Sequence, residues 1–329
     1  MQTKPAFFTQ ADWVWLNGRL VPWRDATTSV FSHALHYGSG IFEGIRAYKT
    51  NKGPGVFRLQ AHLDRLFESA AAYEMGLPYS KLQLTEAVFQ VIDANGLTSN
   101  SYIRPLCWYG VNDLGLTSRK WPVQVAVTAW AWGTLFGEEQ SGNGIRVGIS
   151  PWRKIHCSML PTTAKGCGQY LNSILAAQNV VKNGYDEALL LDMFGNVAEG
   201  PGENIFLVKD NKLVTNDQES SILMGITRDS VITIARALGI EVEVRTLTLQ
   251  DVVTAQEAFF TGTAVEIVAI REIEGVLIGT AAAKGSVTRR IRQVFEAITC
   301  GQDPAYEHWI ELDPITTRTQ TTSALAAVS

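Results

Sequence analysis

The sequence predicts a mixed α/β protein that folds as two domains. A chain of 329 residues is longer than one ordinary hydrophobic core supports. Segments with strand and helix patterns alternate without the regular βαβ order of a single Rossmann sheet. Residues 133–144 are rich in Gly, Glu and polar side chains, which indicates a loop. We therefore predict a small N-terminal domain over 1–132, an interdomain loop over 133–144, a large domain over 145–313 and a flexible tail over 314–329.

The first domain begins with a predicted β-hairpin. Apolar runs at Trp13–Leu16 and Arg19–Val21 flank Asn17-Gly18, and both turn residues tolerate a positive φ. Further strands are predicted at Ile41–Tyr48, Val56–Leu59, Tyr102–Tyr109 and Val123–Trp130. Apolar stripes at helical spacing are formed by Leu63, Leu66, Phe67 and Ala70, and by Leu84, Ala87, Val88, Val91 and Ile92.

The second domain also mixes strands with helices. Strands are predicted at Ile145–Ser150, Glu187–Asp192, Asn204–Val208, Lys212–Thr215, Glu241–Arg245 and Ala258–Thr261. One helix is predicted after Lys165, with Leu171, Ile174, Leu175 and Gln178 on one side. Two more helices are predicted at Thr227–Leu238 and through Val287, Ile291, Val294, Phe295 and Ile298.

The composition excludes several classes of function. The net charge is −4 with a pI near 5.8, and no Lys/Arg-rich block offers a surface for nucleic acid. No apolar run is long enough to cross a bilayer, and the N-terminus lacks the apolar core of a signal peptide. The four cysteines show no paired spacing, so we expect reduced thiols in a cytoplasmic protein. His33 and His36 could share a helical face but lack a third ligand, so we predict no metal site.

The common nucleotide and hydrolase motifs are also absent from the sequence. No segment has the G-x-x-x-x-G-K-[ST] order of a P-loop, and none has the G-x-S-x-G order of a nucleophile elbow. The run Gly166-Cys167-Gly168 does not extend to a dinucleotide fingerprint. The chemistry must therefore come from less common segments.

The first of these segments surrounds Lys165. It reads Pro161-Thr162-Thr163-Ala164-Lys165-Gly166-Cys167-Gly168-Gln169-Tyr170, a lone lysine among small residues with a phenol five positions later. Small neighbours let a bulky molecule approach the amine, and removal from water lowers the pKa of a lysine and makes it a usable nucleophile or base. Taken alone, the segment is more simply explained as a surface lysine in a Gly-rich loop.

Two further segments suggest polar binding groups. Glu199 ends a strand-like run before the tight turn Gly200-Pro201-Gly202, and a buried carboxylate there needs a cationic partner. Gly225 precedes a helix start at Ile226-Thr227, whose free N–H groups could hold a phosphate. The simpler alternatives are a solvated turn and an ordinary helix cap by Thr227 and Asp229.

Three more features complete the set of candidates. Gly262-Thr263-Ala264-Val265-Glu266 follows an apolar strand and is either a second anion-binding loop or a plain turn. Tyr102 and Arg104 lie two positions apart on a predicted strand, so their side chains point the same way and suit a carboxylate. Arg65 lies off its helix's apolar stripe, between Asp64 and Glu68, where a surface ion pair is the simplest expectation.

Together and in this order, these segments resemble the fold-type IV pyridoxal-phosphate enzymes, which share the two-domain D-amino-acid-aminotransferase-like fold. Within that group the chain is most similar to the branched-chain-amino-acid aminotransferases. The resemblance runs from about residue 13 to about residue 300, and His36–Arg46 and Tyr102-Ile103-Arg104-Pro105 fit this subfamily in particular. Gln169 departs from the pattern, since relatives often carry Asn beside the tyrosine.

The resemblance implies a role for each cofactor-binding residue. Lys165 would hold pyridoxal 5'-phosphate covalently and move the proton between the substrate Cα and the cofactor. Tyr170 would bind the phenolic oxygen of the cofactor, and Glu199 would pair with its pyridinium nitrogen. The phosphate would be held by Arg65, by the backbone N–H groups of Ile226 and Thr227, and by Thr263.

The resemblance also implies a substrate pocket and a reaction. Tyr102 and the Thr263–Ala264 backbone would bind the substrate α-carboxylate, and Arg104 would bind the distal carboxylate of glutamate. The apolar wall would consist of Tyr37, Phe42, Trp132 and Tyr109. The implied reaction is ping-pong transfer of the amino group of leucine, isoleucine or valine to 2-oxoglutarate by a homodimer or higher homo-oligomer. The open alternatives are a D-amino-acid or (R)-amine transaminase, an aminodeoxychorismate lyase, and a non-catalytic small-molecule-binding scaffold.

Overall fold

The described strands form two sheets of eight. A computed structural model describes residues 11–117, 121–133, 135–136, 143–279 and 286–313. The strands are β1 (Trp13–Leu16), β2 (Arg19–Pro22), β3 (Gly40–Phe42), β4 (Ile45–Thr50), β5 (Gly53–Phe57), β6 (Ser101–Tyr109), β7 (Val123–Ala131), β8 (Ile145–Ile149), β9 (Glu187–Leu189), β10 (Asn204–Lys209), β11 (Lys212–Thr215), β12 (Val242–Val244), β13 (Glu257–Gly262), β14 (Glu266–Ile273), β15 (Val276–Leu277) and β16 (Ile310–Glu311). The α-helices are α1 (His33–Tyr37), α2 (Leu59–Ala72), α3 (Lys81–Ala94), α4 (Tyr170–Lys182), α5 (Ile226–Ala237), α6 (Leu249–Val253) and α7 (Val287–Thr299).

The first sheet is antiparallel throughout the described residues. Its order is β16-β5-β4-β6-β7-β1-β2, and β3 lies beside β6. Helices α2 and α3 pack their apolar stripes on this sheet, with Leu63, Leu66 and Val88 fully buried in the shared core. The predicted hairpin is confirmed, with Asn17 at φ 48° and Gly18 at φ 94° between β1 and β2.

The second sheet is mixed. Its order is β12-β11-β10-β13-β14-β8-β9, with β15 beside β14, and β8, β9 and β12 join it in parallel. Helices α5 and α7 cover one face, where Phe206 and Phe259 stack at 5.2 Å between ring centroids. Tyr48 and Phe57 from the first sheet are buried in this same core, which joins the two halves.

Several strands differ from the predictions, and two of these differences lie at Glu43 and at the turn 262–266. The predicted strand Ile41–Tyr48 is broken into β3 and β4 at Glu43-Gly44, where the Glu43 side chain turns into the interior. A Cβ on Gly44 would overlap the Tyr102 hydroxyl, so only glycine fits at this break. Strand β14 was not predicted, although it forms a hairpin with β13 through the turn 262–266.

The predicted apolar side of α4 faces outward and not toward the core. Its residues Leu171, Ile174 and Leu175 are exposed, whereas Ala176 and Val180 are buried. The buried side carries small residues because α4 packs closely on β9. Periodicity alone could not choose between two sides that both carry apolar residues.

The end of the described chain returns to the first sheet. Ile310 and Glu311 of β16 pair with Phe57 and Val56 of β5.

The domain limits at 132, 145 and 313 stay predictions. Part of the 133–144 loop and the whole 314–329 tail lie outside the described residues. In the part of the chain that is described, no helix is both long and apolar enough to span a membrane.

Candidate active site

One polar cavity is lined by residues from both halves of the molecule. The seven residues predicted to bind a cofactor all line it, and they are Arg65, Lys165, Tyr170, Glu199, Ile226, Thr227 and Thr263. They come from α2, from the segment before α4 and its first residue, from the β9–β10 connection, from the start of α5 and from the β13–β14 turn. The fold thus brings together residues that lie far apart in the sequence.

Lys165 is held at one side of this cavity. Its backbone N–H donates to Ser69 Oγ at 2.9 Å, and its carbonyl accepts from the Phe42 N–H at 3.1 Å. Its Nζ donates to the Tyr170 hydroxyl at 2.6 Å. Removal from water, and then the nearby Arg65 guanidinium, lower the pKa of Lys165 from 10.5 to about 8. The amine is therefore far more available as a nucleophile than a solvated lysine.

Glu199 lies on a second side of the cavity, and both of its carboxylate oxygens have polar partners. Its Oε1 pairs with Lys154 Nζ at 2.6 Å, and its Oε2 accepts from Asn204 Nδ2 and the Leu223 N–H, both at 3.1 Å. The predicted need for a cationic partner is met by Lys154, which the sequence interpretation did not single out. Lys154 follows Pro151-Trp152-Arg153 with no distinguishing spacing, so only the fold identifies it.

The tyrosine between these two groups keeps its proton. Burial raises the pKa of Tyr170 well above its ordinary value, Lys154 lowers it and Glu199 raises it. The ring packs on Phe42 with 4.8 Å between centroids. Tyr170 therefore presents a neutral phenol between an amine and a carboxylate.

The third side of the cavity is an anion-binding end. Helix α5 begins at Ile226 after Gly225, and no side chain of the described residues caps it, which contradicts the alternative of a cap by Thr227 and Asp229. The first N–H groups of an uncapped helix, together with its dipole, favour a bound anion. The Arg65 guanidinium lies beside them, since its Nη1 donates to the Met224 carbonyl at 3.1 Å.

Arg65 is not the surface residue that its helical position suggested. It is only 8% exposed, and the predicted pair with Asp64 is wrong because Asp64 pairs with Lys81. The carboxylate of Glu43 accepts from Arg65 Nε at 2.7 Å and from Nη2 at 2.8 Å. The sequence interpretation missed Glu43 because it lies 22 residues before Arg65 on a different element.

Four of the predicted substrate-binding residues form a separate ring cluster beside the cavity, and they are Phe42, Tyr102, Arg104 and Trp132. Arg104 Nη2 donates to the Tyr102 hydroxyl at 3.1 Å, so their side chains do point the same way. The guanidinium lies 4.6 Å from the Phe42 ring centroid, and the Tyr102 and Trp132 centroids are 5.1 Å apart. Ala264 follows Thr263 in the β13–β14 turn. This cluster continues from Lys165, whose Nζ is 5.0 Å from the Phe42 centroid.

Two predicted wall residues lie away from the cavity of their own chain. Tyr37 is 49% exposed on α1, and its hydroxyl donates to the Leu114 carbonyl at 3.1 Å. The Tyr109 hydroxyl donates to the Glu74 carbonyl at 3.2 Å, and its ring packs on Trp121. Neither belongs to the residues that line the cavity around Lys165.

Comparisons with known proteins identify the family. The family model described as amino-transferase class IV matches residues 40–273. The chain belongs to the class IV aminotransferases. Its curated relatives include the branched-chain-amino-acid aminotransferase of Pseudomonas aeruginosa, 44% identical over 90% of this chain and 95% of that protein. The enzyme of the same name from Escherichia coli strain K12 is 41% identical over 92% of this chain and 97% of its own length.

Solved structures of class IV aminotransferases have the same fold. The T.th. branched-chain amino acid aminotransferase with pyridoxamine 5'-phosphate superimposes with a TM-score of 0.88, at 44% identity, over 92% of this chain and 98% of that one. An Escherichia coli branched-chain amino acid aminotransferase gives a TM-score of 0.89 at 40% identity, over 92% and 99%. The prediction of a fold-type IV architecture is thereby confirmed.

Proposed function

We propose that this class IV aminotransferase uses pyridoxal 5'-phosphate, bound at Lys165, to transfer the amino group of leucine, isoleucine or valine to 2-oxoglutarate. The observation that carries the proposal is the arrangement of one cavity. It places an amine of lowered pKa, a paired carboxylate and an anion-binding helix start on three sides. These are the groups that the aldehyde, the ring nitrogen and the phosphate of this cofactor require. The names of the relatives support the substrate class.

The cavity fits such a cofactor in two further respects. Thr261 Oγ1 is buried at the cavity wall and has no hydrogen-bond partner among the described residues. A Cβ on Gly225 would overlap Asn204 Oδ1, and a Cβ on Gly262 would lie 2.9 Å from the Gly202 carbonyl. A side chain at either position would collide with the surrounding protein, so glycine allows the backbone to pack this closely at the cavity wall.

Each of the protein's own groups would have a separate role in the reaction. When bound, the cofactor supplies an electron sink for the carbanion at the substrate Cα. Glu199 would keep the ring nitrogen protonated, and Tyr170 would donate to the phenolic oxygen. Arg65 and the start of α5 would hold the phosphate. Lys165, whose Nζ lies 2.6 Å from the Tyr170 hydroxyl, would carry the proton to and from the substrate Cα.

The ring cluster explains how one pocket accepts two kinds of substrate. Phe42, Tyr102 and Trp132 give an apolar wall for an aliphatic side chain, and Arg104 at their edge gives a cation for glutamate. Two other structures of the T.th. enzyme contain N-(5'-phosphopyridoxyl)-L-glutamate and 4-methylvaleric acid. The first compound has an acidic side chain and the second has an aliphatic one. We assign the α-carboxylate to Tyr102 and the Thr263–Ala264 backbone.

Replacing Arg104 with Gln is expected to affect the two substrates differently. The kcat/KM for glutamate should fall by about 10- to 100-fold, the value of a charge-assisted hydrogen-bond pair, and that for leucine by less than about threefold. Steady-state kinetics with each amino donor measures both losses. Equal losses for leucine and glutamate would contradict the assignment of Arg104 to the distal carboxylate.

The rate of cofactor capture should follow the titration of Lys165. Its pKa is lowered to about 8, chiefly by removal from water, so the neutral amine dominates above pH 8. Addition of pyridoxal phosphate to the cofactor-free protein should therefore accelerate about tenfold per pH unit up to pH 8 and then level off. Stopped-flow absorbance measures this rate. A rise that continues toward pH 10.5 would indicate an ordinary solvated lysine.

We further propose a homodimer in the cytoplasm. Tyr37 lies outside the cavity of its own chain, on a face where Val30, Phe31 and Leu35 are also exposed. An apolar groove lined by Leu35, Trp108 and Arg104 continues this face toward the substrate residues. A second copy would cover the face and bring its Tyr37 to the neighbouring site. Sedimentation analysis measures the mass of the assembly and so tests the homodimer. The cytoplasmic location is supported by the four free thiols, which favour a reducing compartment.

The proposal is tested by the visible absorption spectrum of the purified protein. We expect a yellow protein that is bleached when L-leucine is added and coloured again by 2-oxoglutarate. Bleaching by D-alanine or a chiral aryl-ethylamine but not by leucine would keep the cofactor and replace the substrate. A protein that stays colourless after pyridoxal phosphate is added would favour the non-catalytic binding scaffold.

A further inference from the structure

A fully buried carboxylate organises the phosphate end of the cavity without touching it. Glu43 has no exposed surface and is not among the residues that line the cavity. Its Oε1 accepts from Arg65 Nε at 2.7 Å, and its Oε2 accepts from Arg65 Nη2 at 2.8 Å and from His62 Nδ1 at 2.8 Å. Both donors lie on helix α2, one turn apart.

The same face of α2 also holds the reactive lysine. Ser69, one further turn along α2 from Arg65, accepts the Lys165 N–H, while the Phe42 N–H next to Glu43 donates to the Lys165 carbonyl. The Glu43 N–H donates to the Pro105 carbonyl on β6 at 2.9 Å. Glu43 is therefore fixed by its backbone as well as by its side chain, and it cannot follow Arg65 if that residue moves.

The charges explain why this contact is needed. Burial on its own would raise the pKa of Glu43, but Arg65 and His62 outweigh it and hold that pKa far below its ordinary value. Burial lowers the pKa of His62, so the imidazole is neutral and donates through Nδ1. The result is one carboxylate facing one guanidinium. A buried guanidinium without such a partner is strongly destabilising.

We infer that Glu43 is the permanent counter-ion of Arg65, which neutralises the buried guanidinium and fixes its orientation before any phosphate binds. The phosphate end of the cavity is then preformed in the cofactor-free chain. This inference rests on the proposed function only in taking the cofactor phosphate as the anion. It makes Glu43 a positioning residue, because it acts through Arg65.

The inference predicts that loss of the Glu43 charge lowers the melting temperature more in the cofactor-free protein than in the cofactor-bound protein. In the Glu43→Gln variant the buried guanidinium loses its counter-ion, and a bound phosphate partly replaces it. We expect the melting temperature of the cofactor-free variant to fall by roughly 5–10 °C and that of the cofactor-bound variant to fall clearly less. By linkage, inorganic phosphate should raise the melting temperature of the variant more than that of the wild type.

A second carboxylate in the same chain gives a matched control. Asp251 on α6 also accepts two bonds from one arginine, Arg245, at 2.9 and 3.0 Å, and it lies outside the cavity. Asp251→Asn should lower both melting temperatures equally. Glu43→Asp keeps a negative charge at the same sequence position. Its melting temperatures should therefore lie closer to those of the wild type than the melting temperatures of Glu43→Gln do.

Calorimetry decides the inference. It compares the wild type, Glu43→Gln, Glu43→Asp and Asp251→Asn in chloride, inorganic phosphate or pyridoxal phosphate at matched ionic strength. Equal losses with and without phosphate for Glu43→Gln would overturn it, and so would a variant that fails to fold even with saturating cofactor. Recovery of folded variant only when phosphate or cofactor is present would support it. If pyridoxal phosphate does not stabilise the wild type, the proposed function fails, while the inorganic-phosphate comparison still tests Glu43.

Discussion

Replacing Lys165 with Ala is expected to lower kcat for amino transfer by at least about 10³- to 10⁴-fold. Under the proposed function, the variant would lose both the covalent attachment of the cofactor and the base that moves the proton at the substrate Cα. The amine hydrogen-bonds the Tyr170 hydroxyl and belongs to no ion pair among the described residues, so its removal should leave the fold intact. Single-turnover absorbance with L-leucine measures the loss directly.

The control for Lys165→Ala is a surface lysine with no role in the cavity. Lys212 pairs with Glu241 on the surface, where its side chain is 41% exposed. Lys212→Ala should keep full activity and an unchanged spectrum. If Lys165→Ala still bleached with leucine at a rate near that of the wild type, another amine would be the reactive group and the assignment would be wrong.

Replacing Glu199 with Gln should reduce both activity and stability. Under the proposed function, the ring nitrogen would lose the carboxylate that keeps it protonated, so we expect kcat to fall by about 10²- to 10⁴-fold. Lys154, whose side chain is 11% exposed, loses the carboxylate that neutralises it. An uncompensated buried charge costs about 3–5 kcal/mol, which lowers the free energy of unfolding by a comparable amount.

A double variant separates these two effects. In Glu199→Gln with Lys154→Met both charges are gone, so stability should largely recover while activity stays low. Denaturant unfolding and steady-state kinetics on the same samples provide the two readouts. Exposed Glu241→Gln should change neither. Recovery of activity together with stability in the double variant would show that Glu199 acts only as a structural partner of Lys154.

Much of the fold and of the cavity was predictable from local sequence patterns. The β1–β2 hairpin, the apolar stripes of α2 and α3 and the start of α5 follow from turn residues and from periodicities of a few residues. Lys165 and Tyr170 likewise belong to one local segment, although only the structure shows the contact between the Lys165 Nζ and the Tyr170 hydroxyl. The joint order of several short segments then predicted the family, although each one alone had a simpler explanation.

The sequence by itself therefore determined the elements and most of the candidate residues, while the tertiary structure decided their partners. It showed that Glu43 pairs with Arg65, that Lys154 pairs with Glu199, and that the apolar side of α4 faces outward. Local propensity depends on neighbours within a few residues. The pairing of buried charges depends on which distant segments share a space that excludes water, and that is fixed only when the sheets and helices pack together.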